Sequence, residues 1–121
     1  MKYNVNVGKE IYTNKLSCCE DIKDFVLEGK AKISFENGKM IMKNAIAPDS
    51  EENSNFVLWC DKDFPSDILI EWKFRPIREP GLCILFFAAT GKNGESIFDK
   101  GLAERSGDYP QYHHGDINAF H

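Results

Sequence analysis

The densest group of chemically versatile side chains in this sequence lies in residues 105–121. Tyrosine and histidine rings are interspersed there with amides, carboxylates and one guanidinium group. Aromatic rings can stack on the C–H faces of a sugar, and planar polar groups can bind its paired hydroxyls. Long irregular segments in compact domains tend to be functional, although these polar groups could instead only satisfy the backbone of a surface loop. The pattern favours an oligosaccharide-binding site with the candidate residues Arg105, Tyr109, Gln111, Tyr112, His114, Asp116, Asn118 and His121.

A second candidate surface lies in residues 68–75, where apolar and polar side chains alternate. Such alternation predicts a β-strand whose two faces meet different environments. The polar face consists of Glu71, Lys73 and Arg75. It would line a sugar groove if the strand belongs to a concave sheet, and it would be a solvated outer face otherwise.

The case for catalysis is weaker than the case for binding. A retaining glycosidase needs two carboxylates on one face, and Glu71 is alone on its predicted strand. A lyase needs a Tyr or His base, an acid, and a cationic or amide group that neutralises a uronate. Residues of suitable type are Arg105, Tyr109, Gln111, His113 and His114. Lyase or hydrolase action on acidic oligosaccharides is therefore the alternative function, with no catalytic residue assigned.

The sequence does not indicate a metal site. The adjacent His113 and His114 would point to opposite faces of a strand, so both cannot easily reach one ion. The remaining ligands are too few for zinc, and no cluster of aspartates offers the many oxygens that calcium prefers. We expect neither a metal nor another cofactor.

The clearest structural signal is a β-hairpin around Asn37 and Gly38. An Asn-Gly pair between two alternating runs favours a type I′ turn, since both turn residues need a positive φ. A two-residue turn also fixes the strand register. The expected cross-strand pairs are Glu36–Lys39, Phe35–Met40 and Ile33–Met42.

Further strand patterns occupy residues 56–60, 82–90 and 116–121, and no segment shows a convincing helix pattern. The sequence therefore predicts an all-β fold, an antiparallel β-sandwich of jelly-roll type. Side-chain parity predicts a core of Ile33, Phe35, Met40, Met42, Phe56, Leu58, Ile70, Trp72, Phe74, Leu85 and Phe87. The last strand stops at Phe120-His121, so we expect residues 1–121 to be a single jelly-roll domain, the N-terminal part of a longer chain. Its open sheet edge would favour self-association.

Composition narrows the functional classes further. The 121 residues include 15 Lys+Arg and 19 Asp+Glu, for a formal net charge of −4. This acidic balance argues against binding to nucleic acid, and no apolar run approaches the roughly 20 residues of a membrane span. The N-terminal residues lack the apolar core of a secretory signal. We expect a cytoplasmic protein that binds neither nucleic acid nor membranes.

Three segments within residues 55–121 resemble the bacterial YesU-like family, uncharacterised proteins with the concanavalin A-like lectin/glucanase jelly roll. They are NFVLWCDKDFPSDILIEWKFRP, GLCILFFAATGKNGESIFD and ERSGDYPQYHHGDINAFH. The third is the most specific, through Arg105, Gly107, Tyr109, Gln111-Tyr112, Gly115-Asp116-Ile117 and His121. The resemblance implies the same jelly roll and a link to the utilisation of plant polysaccharides, especially rhamnogalacturonan. It implies no catalytic residue.

Overall fold

The computed structural model describes residues 4–47, 49–79 and 81–121. Short strands predominate in these ranges, and helix is confined to a 3-10 turn (Cys19–Ile22) and one turn of α-helix, α1 (Pro110–His113). The strands are β1 (Val26–Gly29), β2 (Ala31–Glu36), β3 (Lys39–Asn44), β4 (Phe56–Trp59), β5 (Phe87–Gly91) and β6 (Ile117–Phe120). No helix in the described ranges has the length and apolar character needed to cross a membrane.

The strands form three antiparallel ribbons, in which β1 pairs with β4, β2 with β3, and β5 with β6. The ribbon β1–β4 joins strands that are distant in the sequence, whereas β2–β3 is a local hairpin. The nearly all-β, antiparallel architecture predicted from the sequence is thus confirmed.

The hairpin β2–β3 forms with the predicted turn and register. Asn37 has a φ of 51° and Gly38 a φ of 71°, so both residues adopt the left-handed conformation that a type I′ turn requires. Glu36 lies opposite Lys39. The pairs Phe35–Met40 and Ile33–Met42 also lie opposite each other as expected. The hairpin prediction is confirmed in detail.

The ribbon β5–β6 contains a β-bulge beside the candidate site. Phe87 pairs with Phe120, and the next pair is Thr90 with Asn118, so the β5 strand has one residue more than its partner over this stretch. Ala88 lies in the bulge with a φ of 50°. A bulge bends its strand and re-aims the neighbouring side chains, which changes the inward and outward parity expected from the sequence.

The buried core lies between the ribbons β1–β4 and β5–β6. It consists of Trp59, Ile97, Tyr112 and Ile117, with Val57, Phe86, Ala89 and Leu102 packed against it. The Phe86 ring lies 5.7 Å from the Trp59 ring and 5.6 Å from the Tyr112 ring, measured between centroids. Phe86 therefore contacts the core in place of the predicted Phe87.

Two predicted strands differ from the structure. Residues 68–75 contain no strand, and in residues 82–90 only the part that belongs to β5 is a strand. An alternating sequence becomes a strand only where a neighbouring strand accepts its backbone hydrogen bonds. None of the described strands pairs with residues 68–75, so the prediction of a strand there is wrong for this structure.

The predicted core is also wrong in part. Five of its members are exposed, namely Met42, Ile70, Trp72, Phe74 and Phe87. The others are half-buried, namely Ile33, Phe35, Met40, Phe56, Leu58 and Leu85. Alternation correctly identifies which side chains share a face, but that face is buried only when a second layer covers it. Among the residues that the structure describes, the buried cluster forms around Trp59.

Candidate functional site

The centre of the site is the carboxylate of Glu28 on β1. The register places Trp59 opposite Val26, so Trp59 and Glu28 are diagonal neighbours on one face of the ribbon. Trp59 Nε1 donates a hydrogen bond to Glu28 Oε1 at 2.8 Å. Arg105 and Tyr112 reach the same carboxylate from the C-terminal part of the chain.

The Arg105 guanidinium binds Glu28 through two nitrogens. Nε donates to Oε1 at 3.0 Å, and Nη2 donates to Oε2 at 2.8 Å. Nη2 also donates to the backbone oxygen of Ile97 at 2.7 Å. The Arg105 and Glu28 side chains are only 5% and 11% exposed. Both charges have therefore lost most of their hydration, and their mutual attraction and hydrogen bonds offset this cost. Arg105 thus holds the loop to β1 and has little capacity to bind a ligand.

Tyr112 completes the network from α1, whose first turn begins with Pro110, a residue suited to a helix start. The phenol donates to Glu28 Oε1 at 2.9 Å and accepts from the Gly107 backbone N–H at 3.0 Å. Burial raises the pKa of Tyr112 well above its ordinary value of 10.0, and the hydrogen bond to Glu28 raises this pKa further. The phenol therefore stays protonated as a hydrogen-bond donor to Glu28 and is not a base.

Two glycines allow the loop that carries Arg105 to approach the β1–β4 ribbon. Gly29 and Gly107 have φ values of +91° and +90°. A Cβ on Gly29 would lie 2.7 Å from the Ser106 carbonyl oxygen, and a Cβ on Gly107 would collide with the Asn55 carbonyl group. Both the conformation and the space exclude a side chain at these positions, so backbone packs directly on backbone.

Gln111 and Asp116, two further predicted site residues, stabilise the local loops. Gln111 Oε1 accepts from the Ser106 backbone N–H at 2.7 Å, and Asp116 Oδ2 accepts from the Ala103 backbone N–H at 2.9 Å. For these residues the structure matches the alternative in which polar groups satisfy the loop's own backbone.

A pocket of about 420 Å³ lies beside α1 and β6. Its lining residues are Ala88, Tyr112, His113, Ile117, Asn118, Ala119, Phe120 and His121. The predicted residues Tyr112, Asn118 and His121 meet there, and the His121 ring lies edge-on to Phe86 at 5.8 Å. We refer to this site as the α1–β6 pocket.

An aromatic surface continues from the α1–β6 pocket along α1. Tyr109 lies 5.7 Å from the His113 ring, and the His113 and His114 rings are 4.3 Å apart. Tyr109 and His114 are both exposed and lie next to the pocket wall formed by His113. They do not line the pocket itself.

The second predicted surface lies elsewhere. Glu71, Lys73 and Arg75 are exposed and are not among the residues that line the α1–β6 pocket. Residues 68–75 form no strand in this structure, and the groove face stays a prediction.

The described residues contain no group of three or more His, Cys, Asp and Glu side chains that could hold a metal ion.

The importance of Glu28 was missed by sequence reasoning. Its only signal is a single carboxylate between apolar residues and a glycine in a short strand, and its partners are far away in the sequence.

The antiparallel sheets place the protein among the β-sandwiches with a lectin-like fold, because it is similar to a solved galectin-like structure. That crystal structure is of a protein of unknown function from Bacillus subtilis. The TM-score is 0.84 at 43% sequence identity, and the match covers 94% of this chain and 50% of the other. The β-sandwich prediction is confirmed, and the fold shown for the neighbour is galectin-like.

Residues 9–121 match the domain of unknown function DUF1961, and the chain belongs to this family. It is also similar to the "Uncharacterized protein YesU" of Bacillus subtilis (strain 168), with 44% identity over 114 residues. That match covers 94% of this chain and 50% of the relative. The resemblance to a YesU-like family is confirmed, and the chain spans about half the length of these relatives.

Proposed function

We propose that the protein binds an oligosaccharide in the α1–β6 pocket. The observation that carries this proposal is the combination of polar and aromatic groups there, an amide from Asn118, imidazoles from His113 and His121, and the ring of Phe120. Amide and imidazole groups can donate to and accept from sugar hydroxyls. The lectin-like fold of the structural neighbour supports the same class of ligand.

The strands present these groups from a rigid base. Asn118 pairs with Thr90 across the β5–β6 ribbon, so the backbone fixes its position. Phe120 stacks on Phe87 with centroids 5.7 Å apart, and both rings are exposed. An exposed, preordered aromatic pair is a suitable platform for the apolar face of a sugar, and little side-chain entropy is lost when a ligand binds there.

Binding is better supported than lyase or hydrolase action on acidic oligosaccharides. Arg105 is committed to Glu28, so it does not offer a cation for a uronate. Tyr112 donates a hydrogen bond to the same carboxylate and has a raised pKa, so it keeps its proton and is unsuitable as the base of a lyase.

The ligand we propose is a plant cell-wall oligosaccharide of the rhamnogalacturonan type, bound in the cytoplasm. The proposal includes that the fold of this chain is a jelly roll of the concanavalin A-like kind. The imidazoles of His113 and His121 line the pocket and can bind the hydroxyls of such a ligand.

Calorimetric titration with rhamnogalacturonan oligosaccharides tests the proposal. Phe120→Ala and Asn118→Ala should each weaken binding by about threefold to tenfold, because a ring contact or a hydrogen bond contributes on the order of 1 kcal/mol. Asn93→Ala is the matched control, since Asn93 is an exposed amide outside the pocket lining.

Equal affinities for wild type, Asn118→Ala and Phe120→Ala would contradict the α1–β6 pocket as the binding site. The growth of an unsaturated-uronate absorbance during the titration would instead support the lyase alternative.

A further inference from the structure

A second cavity, of about 490 Å³, is lined by β1 and by the loop of residues 97–105. Its wall includes both members of the Glu28–Arg105 ion pair. None of its lining residues belongs to the α1–β6 pocket, so the two cavities are separate candidate sites. We refer to this one as the Glu28 cavity.

Apolar side chains form one part of the Glu28 cavity. They are Val26, Phe98 and Leu102. The Phe98 ring is 38% exposed and Val26 is 37% exposed, so both present apolar surface to a molecule in the cavity. An exposed aromatic ring can stack on the C–H face of a sugar.

Charged side chains form the other part of the cavity. Three of them are carboxylates, from Glu28, Asp99 and Glu104. Two are cations, from Lys100 and Arg105. The excess of one negative charge disfavours an anionic ligand. Lys100 and Glu104 are exposed, so a donor and an acceptor are available for hydroxyl groups, which can both accept and donate.

One nitrogen of Arg105 provides a further donor. Nε and Nη2 bind Glu28 and the Ile97 carbonyl oxygen, whereas Nη1 has no hydrogen-bond partner among the described residues. No buried side-chain nitrogen in this described part of the chain lacks a partner, so Nη1 is accessible to solvent. Because Glu28 neutralises the guanidinium charge, Nη1 is suited to a neutral hydroxyl and not to a uronate.

Hydrogen bonds hold the loop around Phe98 in place before any ligand binds. Ser96 Oγ accepts from the Phe98 backbone N–H at 3.2 Å, and the Ser96 carbonyl oxygen accepts from the Asp99 N–H at 3.0 Å. Asp99 Oδ1 in turn accepts from the Gly101 N–H at 2.7 Å. Since the wall of the cavity is already ordered, a ligand loses little affinity to the entropy of loop ordering.

We propose that the Glu28 cavity binds a neutral sugar whose C–H face packs against Phe98. Arg105 Nη1 and Lys100 donate to its hydroxyl groups, and Glu104 accepts from them. The cavity selects against uronates through its excess of carboxylates. This proposal does not depend on ligand binding in the α1–β6 pocket.

NMR titration of the isotope-labelled chain with two matched disaccharides tests the proposal. Digalacturonate carries carboxylates where galactobiose of the same linkage carries hydroxymethyl groups. We expect galactobiose to shift the amide signals of Leu102 and Ala103 in the cavity wall. It should bind there at least about threefold more tightly than digalacturonate, whose carboxylates meet the excess negative charge. The amide signal of Asn118 reports on the α1–β6 pocket separately.

Two variants sharpen the test. Phe98→Ala should weaken the binding of galactobiose by about threefold to tenfold, because it removes the stacking ring. Phe64→Ala is the matched control, since Phe64 is 43% exposed and lies outside the cavity lining. Glu104→Gln removes one negative charge from a side chain of nearly the same shape, so it should reduce the preference for galactobiose over digalacturonate.

Circular dichroism checks that the variants fold like the wild type. Three outcomes would each overturn the proposal. They are the absence of galactobiose-induced shifts at Leu102 and Ala103, wild-type affinity in Phe98→Ala, and tighter binding of digalacturonate than of galactobiose at these amides.

Discussion

The surroundings of Glu28 and residues 68–77 differ in how well the sequence pattern predicts burial. Around Glu28 an ordinary-looking strand holds a buried ion pair, an indole and a phenol in one hydrogen-bonded group. Among the described residues, no buried side-chain nitrogen or oxygen lacks a partner. Residues 68–77 have the stronger strand pattern, yet they form no strand and their large apolar side chains are exposed.

An alternating pattern therefore shows which environment suits a segment, but it does not show that the segment is buried. Glu28 is buried because three distant groups converge on it, and nothing in its own segment requires this. Trp72 and Phe74 are exposed although their segment has the alternation of a half-buried strand. Substitutions near Glu28 and in residues 68–77 can test this contrast.

The largest effect is expected for Glu28→Ala. This change leaves the Arg105 guanidinium buried without its carboxylate, which typically costs about 3–5 kcal/mol. Chemical denaturation followed by circular dichroism measures the loss in the free energy of unfolding. Glu36→Ala, at an exposed hairpin position opposite Lys39, is the control and should cost less than about 1 kcal/mol. Equal losses for the two variants would show that the buried network adds nothing to stability.

A matched pair of isoleucines compares the two regions directly. Ile117 is 4% exposed and Ile70 is 41% exposed. Ile117→Ala should lower the free energy of unfolding by about 2–5 kcal/mol through lost burial and a cavity. Ile70→Ala should change it by less than about 0.5–1 kcal/mol. A large loss for Ile70→Ala in this chain alone would mean that residues 68–77 are already packed.

A smaller effect is expected for Tyr112→Phe, which removes the hydroxyl that joins Glu28 to the Gly107 N–H. The loss of a buried acceptor for this N–H should cost about 1–3 kcal/mol. Urea denaturation at neutral pH measures it.

The same variant has a defined pH signature. The folded-state pKa of Tyr112 is raised above its ordinary value of 10.0, so above about pH 10 the unfolded state loses a proton that the folded state keeps. The stability of the wild type should fall as the pH rises through this range, and it should fall less steeply in Tyr112→Phe. Tyr12, whose pKa is also raised, contributes equally in both proteins. Identical slopes would contradict a buried, protonated Tyr112.

Local signals made part of the fold predictable. The hairpin β2–β3 is defined by Asn37-Gly38 and its flanking alternation, all within a few residues, and its register is correct. The position of β4 also follows from a short apolar run, and that of β6 from a short alternating run. In β5 the bulge at Ala88 changed the parity, so that Phe86 and not Phe87 packs on Trp59.

The site was harder to predict, since residue type does not reveal whether a charge is already paired. Arg105 and Tyr112 were identified as site residues by their chemistry, and both are used to bind Glu28. Asn118 and His121 do line a pocket. Glu28 itself was missed because its contacts with Arg105 and Tyr112 span 77 and 84 residues, a separation that no periodic pattern connects.

That separation also sets an order of events during synthesis. The hairpin β2–β3 can close within microseconds once its own residues have emerged. Glu28 leaves the ribosome several seconds before Arg105 and Tyr112, at an elongation rate of about 5–20 residues per second. Its carboxylate therefore stays hydrated until Arg105 and Tyr112 have been made, and the ion pair forms later than the contacts within the hairpin.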